Sequence, residues 1–281
     1  GDYVRTAKGA GMFRTLNAGL SWTSIPVPGG TPEAFYRILY VPGNPSNIVG
    51  ASSTGIIQSL DGGTTWSQRY AGHVTDLVIH PTIPTIQYAC VIDVGVIRSL
   101  NGGTTWNLFN AITTPFNRAS IAICRDFQET IVVLVGNNSS GLQGVFKTDN
   151  GGNDWTNITS DLGNFGGGQF DHTCSIAIRP NNPNEIYIGG ITVARTVNGG
   201  GSWMSDPFPV GHADITQLHF SDVTGPDVLW ITNDGGVYRH TIGGNTDDWN
   251  GEGANGLSCS EIGFMDAKRE FRTLGLQDNG I

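Results

Sequence analysis

Short apolar segments alternate with polar turns along the chain, and one kind of turn contains two prolines. In three places an apolar segment runs into a Pro-x-x-Pro sequence, and a second apolar segment follows it. These sequences begin at Pro42, Pro81 and Pro180. Because proline cannot donate a hydrogen bond to a sheet ladder, each Pro-x-x-Pro is expected to end one strand and to form the turn to the next.

A second kind of turn is rich in Asn, Asp and Gly and is followed by tryptophan. Its six copies are Arg14–Trp22, Gln58–Trp66, Arg98–Trp106, Lys147–Trp155, Arg195–Trp203 and the looser Arg239–Trp249. Successive tryptophans lie 40 to 49 residues apart, by subtraction of their numbers. The period therefore contains strand A, a proline turn, strand B, a short loop, strand C, the Asx-containing turn and strand D. Four strands in about 40 to 45 residues are typical of a β-propeller blade.

The residues of these repeated turns are predicted to be structural. Their Asn or Asp oxygens can accept hydrogen bonds from backbone amides, and their glycines supply positive φ angles. The tryptophan that opens strand D is expected to be buried between neighbouring blades, where its indole N–H needs a partner. The structural set is Asn17, Asp61, Asn101, Asn150, Asn198, Trp22, Trp66, Trp106, Trp155, Trp203 and Trp249.

The pattern predicts one all-β domain over residues 1–281, a β-propeller with six or seven four-stranded antiparallel blades. The blades are expected near residues 1–25, 34–70, 74–110, 118–158, 172–205, 214–250 and 258–281, the first and last of them partial. Two closures fit this pattern. The C-terminal strands can complete the N-terminal blade to give six blades, or the chain is a fragment of a propeller with seven or more. Because strand B occurs at both ends, the fragment is favoured.

Composition narrows the class of protein further. The chain has 281 residues with 41 Gly, 7 Trp, 7 Tyr and 12 Phe, and only 14% of its residues are charged. This composition excludes a disordered chain. The net charge of −9 argues against nucleic acid as a partner. No apolar run is long enough to span a membrane. The four cysteines form no Cys-x-x-Cys pair, which excludes a zinc ribbon, and they are expected to be buried, unpaired thiols.

The segment Ser59–Trp66 matches the sequence Ser-x-Asp-x-Gly-x-Thr-Trp in full, and Ser99–Trp106 matches it with Asn in place of Asp. The chain thus resembles the Asp-box, or bacterial neuraminidase repeat, propellers. Residues 229–240 and 273–280 are most similar to the sortilin and xyloglucanase branch. The resemblance implies a secreted or cell-surface protein whose boxes are structural and lie away from the ligand face.

The candidate catalytic residues lie in the loops between strands B and C. Asp93, Asp234 and Asp278 occupy one equivalent position there. In the xyloglucanases the segment Asp-Ile-Gly-Gly-Ala-Tyr-Arg carries a catalytic Asp, and residues 234–239 resemble it. Two carboxylates across a groove are the usual equipment of a glycosidase. The alternative is that Asp before Gly only caps a tight turn.

The candidate ligand-binding residues lie in the loops between strands D and A. His73, His172 and Asp214 each precede the start of strand A by the same spacing, with His212 nearby. Such a ring can bind a metal or polarise a sugar hydroxyl, or it can simply cap strand ends that face water. Phe165 and Phe170 lie in the long loop 159–173 and suit either stacking on a sugar or ordinary core packing.

Two functions remain open. The first is a secreted propeller that binds or processes a glycan, related to the xyloglucanase glycoside hydrolases; the second is a non-catalytic structural or adhesive module whose partner is an extracellular protein. A hydrolase needs two carboxyls across one cleft, and an interaction module does not. A sialidase is disfavoured, since the segment Tyr36–Leu39 lacks the proline of its arginine motif. No cofactor is predicted. Glycosylation sequons begin at Asn137, Asn138 and Asn157.

Overall fold

The structure is a computed structural model that describes residues 11–28, 34–109, 115–137, 139, 141–205, 213–221 and 227–242. The backbone of residues 262–268 and 271–276 is described as well. Contacts divide the chain into two compact units, Gly1–Thr114 and Pro115–Ile281. Each unit is considered by itself below.

The described part of the first unit contains ten short strands. They are β1 Met12–Arg14, β2 Thr23–Ile25, β3 Phe35–Val41, β4 Asn44–Ser52, β5 Gly55–Ser59, β6 Ser67–Ala71, β7 Val74–Ile79, β8 Gln87–Val91, β9 Gly95–Ser99 and β10 Asn107–Leu108. Strands β3 to β6 form one four-stranded sheet in chain order, and β7 to β10 form another. Strands β1 and β2 pair as a two-stranded sheet. All these neighbours are antiparallel.

The second unit continues the same arrangement. Its strands are β11 Arg118–Ile123, β12 Ile131–Gly136, β13 Leu142–Thr148, β14 Thr156–Asn157, β15 Ser175–Ile178, β16 Ile186–Gly189, β17 Val193–Thr196, β18 Met204–Ser205, β19 Ile215–Phe220, β20 Val228–Asn233, β21 Gly236–Thr241, β22 Ile262–Lys268 and β23 Phe271–Leu276. They form two four-stranded sheets, a three-stranded sheet (β19 to β21) and a two-stranded sheet.

The prediction of an all-β propeller with four-stranded antiparallel blades is confirmed. The predicted number of blades, six or seven, is corrected: the described strands make five blades, four of them complete and the fifth, β19 to β21, with three strands. The remaining strands form the two-stranded sheets β1–β2 and β22–β23. The prolines act as predicted, since Pro42, Pro81 and Pro180 lie in the connections between the first two strands of their blades.

Five turns have one hydrogen-bond pattern, and we call them the Asx turns: four join the third and fourth strands of the complete blades, and the fifth joins β1 to β2. In the turn at Asp61, the Ser59 hydroxyl donates to Asp61 Oδ1 at 2.9 Å and accepts from Gly63 N at 2.8 Å. Asp61 Oδ1 also accepts from Thr65 N at 2.8 Å, and its Oδ2 accepts from the Thr65 hydroxyl at 2.7 Å. These bonds fold the side chain of Asp61 back onto its own turn.

The other four Asx turns repeat this pattern with asparagine. They contain Asn17, Asn101, Asn150 and Asn198, and in each a Ser or Thr hydroxyl two residues earlier donates to the Asn oxygen. That oxygen accepts the backbone N–H four residues later. The Asn amide donates to the side chain at that later position, whereas Asp61 accepts from it. Asp and Asn can therefore both form this turn. The side chain four residues later donates to the Asp carboxylate and accepts from the Asn amide.

The tryptophans that follow the Asx turns are less buried than predicted. Trp66, Trp106, Trp155 and Trp203 are half-buried, and Trp22 is 61% exposed. Trp203 packs against a core cluster that contains Ile158 of the preceding sheet, and its indole N–H donates to the Ile158 carbonyl at 2.7 Å. Trp106 likewise packs against the core cluster of the first unit, so these two rings cover core although they are not fully buried.

Side chains at the end of the strand before an Asx turn join neighbouring sheets. Arg14 Nη1 donates to the Gly62 carbonyl at 2.9 Å, and Gln58 Nε2 donates to the Gly102 carbonyl at 3.0 Å. Arg14 and Gln58 occupy the same position of the repeat, and each reaches the Asx turn of the next sheet. Because these carbonyls lie in tight turns, the bonds supply partners that the sheet ladders do not.

A buried charge network lies at the proline-turn end of β15 and β16. Glu185 accepts from Arg179 Nη1 at 2.9 Å, from the Tyr187 hydroxyl at 2.8 Å and from Arg195. Arg179 Nε also donates to Asp227 at 2.8 Å. Burial raises the pKa of Glu185, but the hydrogen bonds from Arg179 and Tyr187 and the charge of Arg195 outweigh it, so the pKa lies below its ordinary value. Burial and the Glu185 charge raise the pKa of Tyr187.

Three of the four cysteines, Cys90, Cys124 and Cys174, are buried as predicted. The Cys124 thiol donates to the Pro180 carbonyl at 3.3 Å, and burial raises its pKa. Such a thiol is a packing group and a poor nucleophile, because the thiolate is the reactive form. Cys259 lies outside the described residues.

Candidate functional site

Asp234 occupies the tight turn between β20 and β21. The last ladder pair before the turn joins Asn233 to Gly236, so the turn consists of Asp234 and Gly235 alone. The Asn233 side-chain oxygen accepts a hydrogen bond from Gly235 N at 2.9 Å and stabilises the turn. The carboxylate of Asp234 is one-third exposed (33%). The sequence therefore places this carboxylate on a short, well-held turn between strands B and C, as predicted.

His172 is the nearest charged partner that the structure gives Asp234. Its Nε2 lies 3.8 Å from Asp234 Oδ1. This distance is too long for a hydrogen bond but short enough for an ion pair when the imidazole is protonated. His172 belongs to the loop before β15, where its backbone N–H donates to the Gln169 carbonyl at 2.9 Å. Arg118 Nη1 donates to the adjacent Asp171 carbonyl at 2.8 Å and helps to hold this loop.

Asp214 lies at the same end of the strand pair as Asp234. The register of β19 and β20 ends at the pair Ile215–Asn233, so Asp214 and Asp234 are the next residues on each strand. Asp214 has a φ of 63°, in the left-handed region that non-glycine residues seldom adopt. Its backbone N–H donates to the Ile191 carbonyl at 2.9 Å, which holds it in that conformation.

Asp214 and Asp234 share a further feature. The Oδ1 atom of each is buried, and neither accepts a hydrogen bond from any residue that the structure describes. A buried carboxylate oxygen without a donor is costly, about 1 to 3 kcal/mol or more. Two such oxygens lie at one end of one strand pair. A ligand hydroxyl that donates a hydrogen bond to either of them would remove this cost.

In the first unit, His73 pairs with Tyr36. The Tyr36 hydroxyl and His73 Nε2 are hydrogen-bonded at 2.7 Å, and their rings lie 5.4 Å apart. The His73 carbonyl accepts from Ile92 N at 2.9 Å, which brings the Asp93 turn beside this pair. Asp93 is exposed and has a φ of 61°. Tyr36 was missed as a site residue, because its partner lies 37 positions away in sequence.

Two observations in the first unit concern the sialidase alternative and the separation of the Asp93 turn from the Asx turn. Arg37 is committed to an ion pair with Asp76 at 2.8 Å, so it is not available to bind the carboxylate of a sialic acid. Asp93 and Asn101 flank β9 at its two ends. Five residues of strand span about 16 Å. The Asx turn and the Asp93 turn of that blade are therefore well separated.

Of the two alternatives for Phe165 and Phe170, the structure shows core packing and not an exposed stacking surface. Phe165 is 6% exposed and Phe170 is completely buried, and their ring centroids lie 6.0 Å apart within one core cluster. The glycine-rich loop folds these rings inward. Gly166 has a φ of 87°, and a Cβ atom there would collide with the Phe170 ring. The glycines of this loop allow the backbone to approach the rings closely, so that the loop covers its own aromatics.

Three predicted positions, Asp278, His212 and Trp249, lie outside the residues whose side chains are described. Among the described residues, no three His, Cys, Asp or Glu side chains form a group that could hold a metal ion. The same part of the chain contains no helix long and apolar enough to cross a membrane.

Comparison with known proteins shows similarity of fold. No protein-family model matches the chain, and no curated protein matches it by sequence. Three similar solved structures are an ancestral GH74 enzyme (TM-score 0.66, 17% identity), the GH74 enzyme of Niastella koreensis (0.63, 18%) and the GH74 xyloglucanase of Xanthomonas campestris (0.61, 14%). They cover 91%, 83% and 81% of this chain, and the chain covers 39%, 41% and 40% of theirs. The chain thus spans about two-fifths of the length of these proteins.

Proposed function

We propose that this chain is an Asp-box propeller module that binds and hydrolyses a glycan, with Asp234 as the central residue of its site. One observation carries the proposal. The Oδ1 atom of Asp234 is buried and accepts no hydrogen bond from the described residues, and His172 Nε2 lies 3.8 Å from it. A carboxylate held on a rigid turn beside an imidazole can act as an acid or a base toward a sugar hydroxyl or a glycosidic oxygen.

Asp214 is the best candidate for the second carboxylate. Hydrolysis of a glycosidic bond generally uses two carboxyl groups, about 5 to 9.5 Å apart, one to protonate the leaving oxygen and one to activate water or attack the sugar. Asp214 belongs to the same unit as Asp234 and leaves the same end of the same strand pair. Asp93 and Asp278 remain the other candidates.

The proposed substrate class rests on the similarity of the fold to GH74 enzymes. One of the three similar structures is a xyloglucanase, and residues 234–239 resemble the catalytic segment of that group. We therefore propose a xyloglucan or a related β-glucan as the ligand. The same resemblance supports export to the cell surface or the medium. The net charge of −9 suits a neutral polysaccharide better than a polyanion.

A non-catalytic interaction module is the second candidate function. The observation that favours it is the conformation of Asp93, which is exposed and left-handed. Asp adopts such turns for local reasons, since its side chain can bond to the nearby backbone. In this alternative the same loops contact an extracellular protein, and their carboxylates serve the turns alone.

The deciding experiment is an assay of the full-length protein on xyloglucan and mixed-linkage β-glucan. Asp234→Asn and Asp214→Asn keep the shape of the side chain and remove its charge. We expect each to lower kcat/KM by about 100-fold or more, as loss of a general acid or base does. Asp61→Asn is the matched control, because four other Asx turns already contain Asn, and it should leave kcat/KM unchanged. Binding without cleavage by the wild type would favour the interaction module instead.

A further inference from the structure

The outermost strand of the third blade ends in an exposed asparagine that begins the sequence Asn157-Ile158-Thr159. We propose that Asn157 is an N-glycosylation site, which receives an oligosaccharide from a lipid-diphosphate-linked donor during export. This goes beyond the proposed activity and does not depend on it, although it does depend on passage through a secretory compartment. Asn-x-Ser/Thr sequences are the general acceptors of this modification.

The side chains of this segment are arranged for it. Asn157 Oδ1 accepts the backbone N–H of Thr159 at 2.9 Å and also accepts the Thr159 hydroxyl. Both bonds engage the amide oxygen, and Asn157 as a whole is exposed. Its amide nitrogen donates a hydrogen bond to no residue that the structure describes. Asn157, whose nitrogen forms the new bond, is therefore exposed. The Thr159 hydroxyl, which assists the transfer, is already in contact with the Asn157 side chain.

The chemistry balances with the donor as the only co-reactant. The Asn157 amide nitrogen forms a bond to the anomeric carbon of the oligosaccharide, and the bond from that carbon to the lipid diphosphate breaks. The nitrogen loses one proton, and the lipid diphosphate leaves with the electron pair of the broken bond. Nothing is oxidised or reduced.

The position of Asn157 tolerates a bulky group. Strand β14 has only two residues, both exposed, and it pairs on one side only, with β13. The chain turns inward directly after it, since Ile158 is buried and its N–H donates to the Val145 carbonyl at 2.8 Å. A glycan on Asn157 would project from the sheet edge without displacing core. It would also cover an unpaired edge, where sheets of different molecules otherwise associate.

The sequon at Asn137 provides the contrast. Asn137 is half-buried in the loop between β12 and β13. Its Oδ1 accepts the backbone N–H groups of Ser139 and Gly141, at 2.8 and 3.0 Å. Two backbone donors from a tight loop hold this amide against its own turn. We therefore expect Asn157 to be the more completely modified of the two.

The test is expression of the whole chain behind a signal peptide in a eukaryotic secretory host, with peptide mass spectrometry before and after peptide-N-glycosidase. We expect the wild type and Thr159→Ser to carry an oligosaccharide on Asn157 in most molecules. Asn157→Gln and Thr159→Ala should lose it entirely. Thr159→Ser is needed because Thr159 Oγ1 also accepts from Val145 N, so Thr159→Ala alters the fold locally.

An unmodified Asn157 peptide from secreted, folded wild type overturns the proposal, whatever is found at Asn137. Retention of the oligosaccharide by Thr159→Ala overturns it as well, because the hydroxyl would then have no part in the transfer. Unchanged unfolding midpoints of Asn157→Gln and Thr159→Ser show that the comparison concerns the modification and not folding. None of these results depends on whether the protein cleaves a glycan.

Discussion

His172 Nε2 and Asp234 Oδ1 lie 3.8 Å apart, although the two residues belong to loops of different blades. Neither residue owes its position to the other: His172 is held by its own loop, and Asp234 by the turn after β20. The pair is either part of a binding site or a stabilising bridge between two loops, and the next prediction separates these two roles.

His172→Gln should affect function more than stability. The pair is partly exposed, and ion pairs of that kind contribute about 0.2 to 1 kcal/mol. We therefore expect the free energy of unfolding in urea to fall by no more than about 1 kcal/mol. Saccharide affinity or turnover of the same variant should fall clearly. A large loss of stability with unchanged binding would make the pair structural.

Asp61 should make the stability of the protein depend on acid pH. Hydrogen bonds from the Thr65 hydroxyl and backbone, and from Ser59 and Thr64, hold its pKa at about 2, below the ordinary 3.8. Because the folded pKa is lowered, the stabilisation is present above about pH 3.8 and disappears as the pH falls through about 2. Asp61→Asn should abolish this part of the pH dependence. Urea unfolding of both proteins between these pH values measures it, and parallel curves would contradict the account.

Glu185→Gln should be strongly destabilising. It removes the negative charge that Arg179 and Arg195 share in a buried network. Loss of one partner from a buried ion pair costs about 3 to 5 kcal/mol. Asp126→Asn is the control, since it breaks an exposed pair with Arg125 and should cost under about 1 kcal/mol. Equal losses of unfolding free energy in the two variants would show that the Glu185 network stabilises the protein no more than an exposed ion pair does.

Gln58→Ala should loosen the contact between two neighbouring blades. The side chain of Gln58 donates to the Gly102 carbonyl and to Asn47, and it accepts from Arg69. Since a net hydrogen bond contributes about 0.5 to 1.5 kcal/mol, we expect a loss of about 1 to 3 kcal/mol in the free energy of unfolding. Asn107→Ala, at an exposed position of β10, is the comparison that should show little change.

Trp203 and Trp22 should respond differently to the same change. Trp203 packs on the core and donates to the Ile158 carbonyl, whereas Trp22 is mainly exposed. Trp203→Ala should cost about 2 to 3 kcal/mol, less than the 3 to 5 kcal/mol of a fully buried aromatic. Trp22→Ala should cost under about 1 kcal/mol. Matching losses would mean that the exposure of Trp22 is different in solution.

The fold was predictable because its signals are local. A Ser or Thr, an Asx and two residues of positive φ within five residues determine an Asx turn; the two residues are Gly-Gly in four copies and Ala18-Gly19 in the first. The five described copies make the same bonds. Repetition of that turn then determines the blade. The burial of the tryptophans was predicted less well, because it depends on what the neighbouring sheet provides and not on the turn itself.

The candidate site was predictable only in part, because convergence depends on tertiary structure. Repeat alignment placed Asp234 and Asp93 on their turns and Asp214 and His172 before their strands. It could not pair His172 with Asp234 or Tyr36 with His73, since those contacts join residues of different blades. Nor could it tell that Phe165 and Phe170 turn inward, because aromatics in a loop have the same sequence pattern whether they face a ligand or the core.

The most direct test of the central claim is a crystal structure of the full-length Asp234→Asn variant with a xyloglucan-derived oligosaccharide. This variant should retain the ligand because it keeps the shape of the turn. We expect sugar hydroxyls within about 2.7 to 3.2 Å of Asp214 Oδ1 and of the replaced side chain, with His172 beside the same sugar. An oligosaccharide bound at the Asx turns, or at a surface that contacts none of these three side chains, would contradict the account.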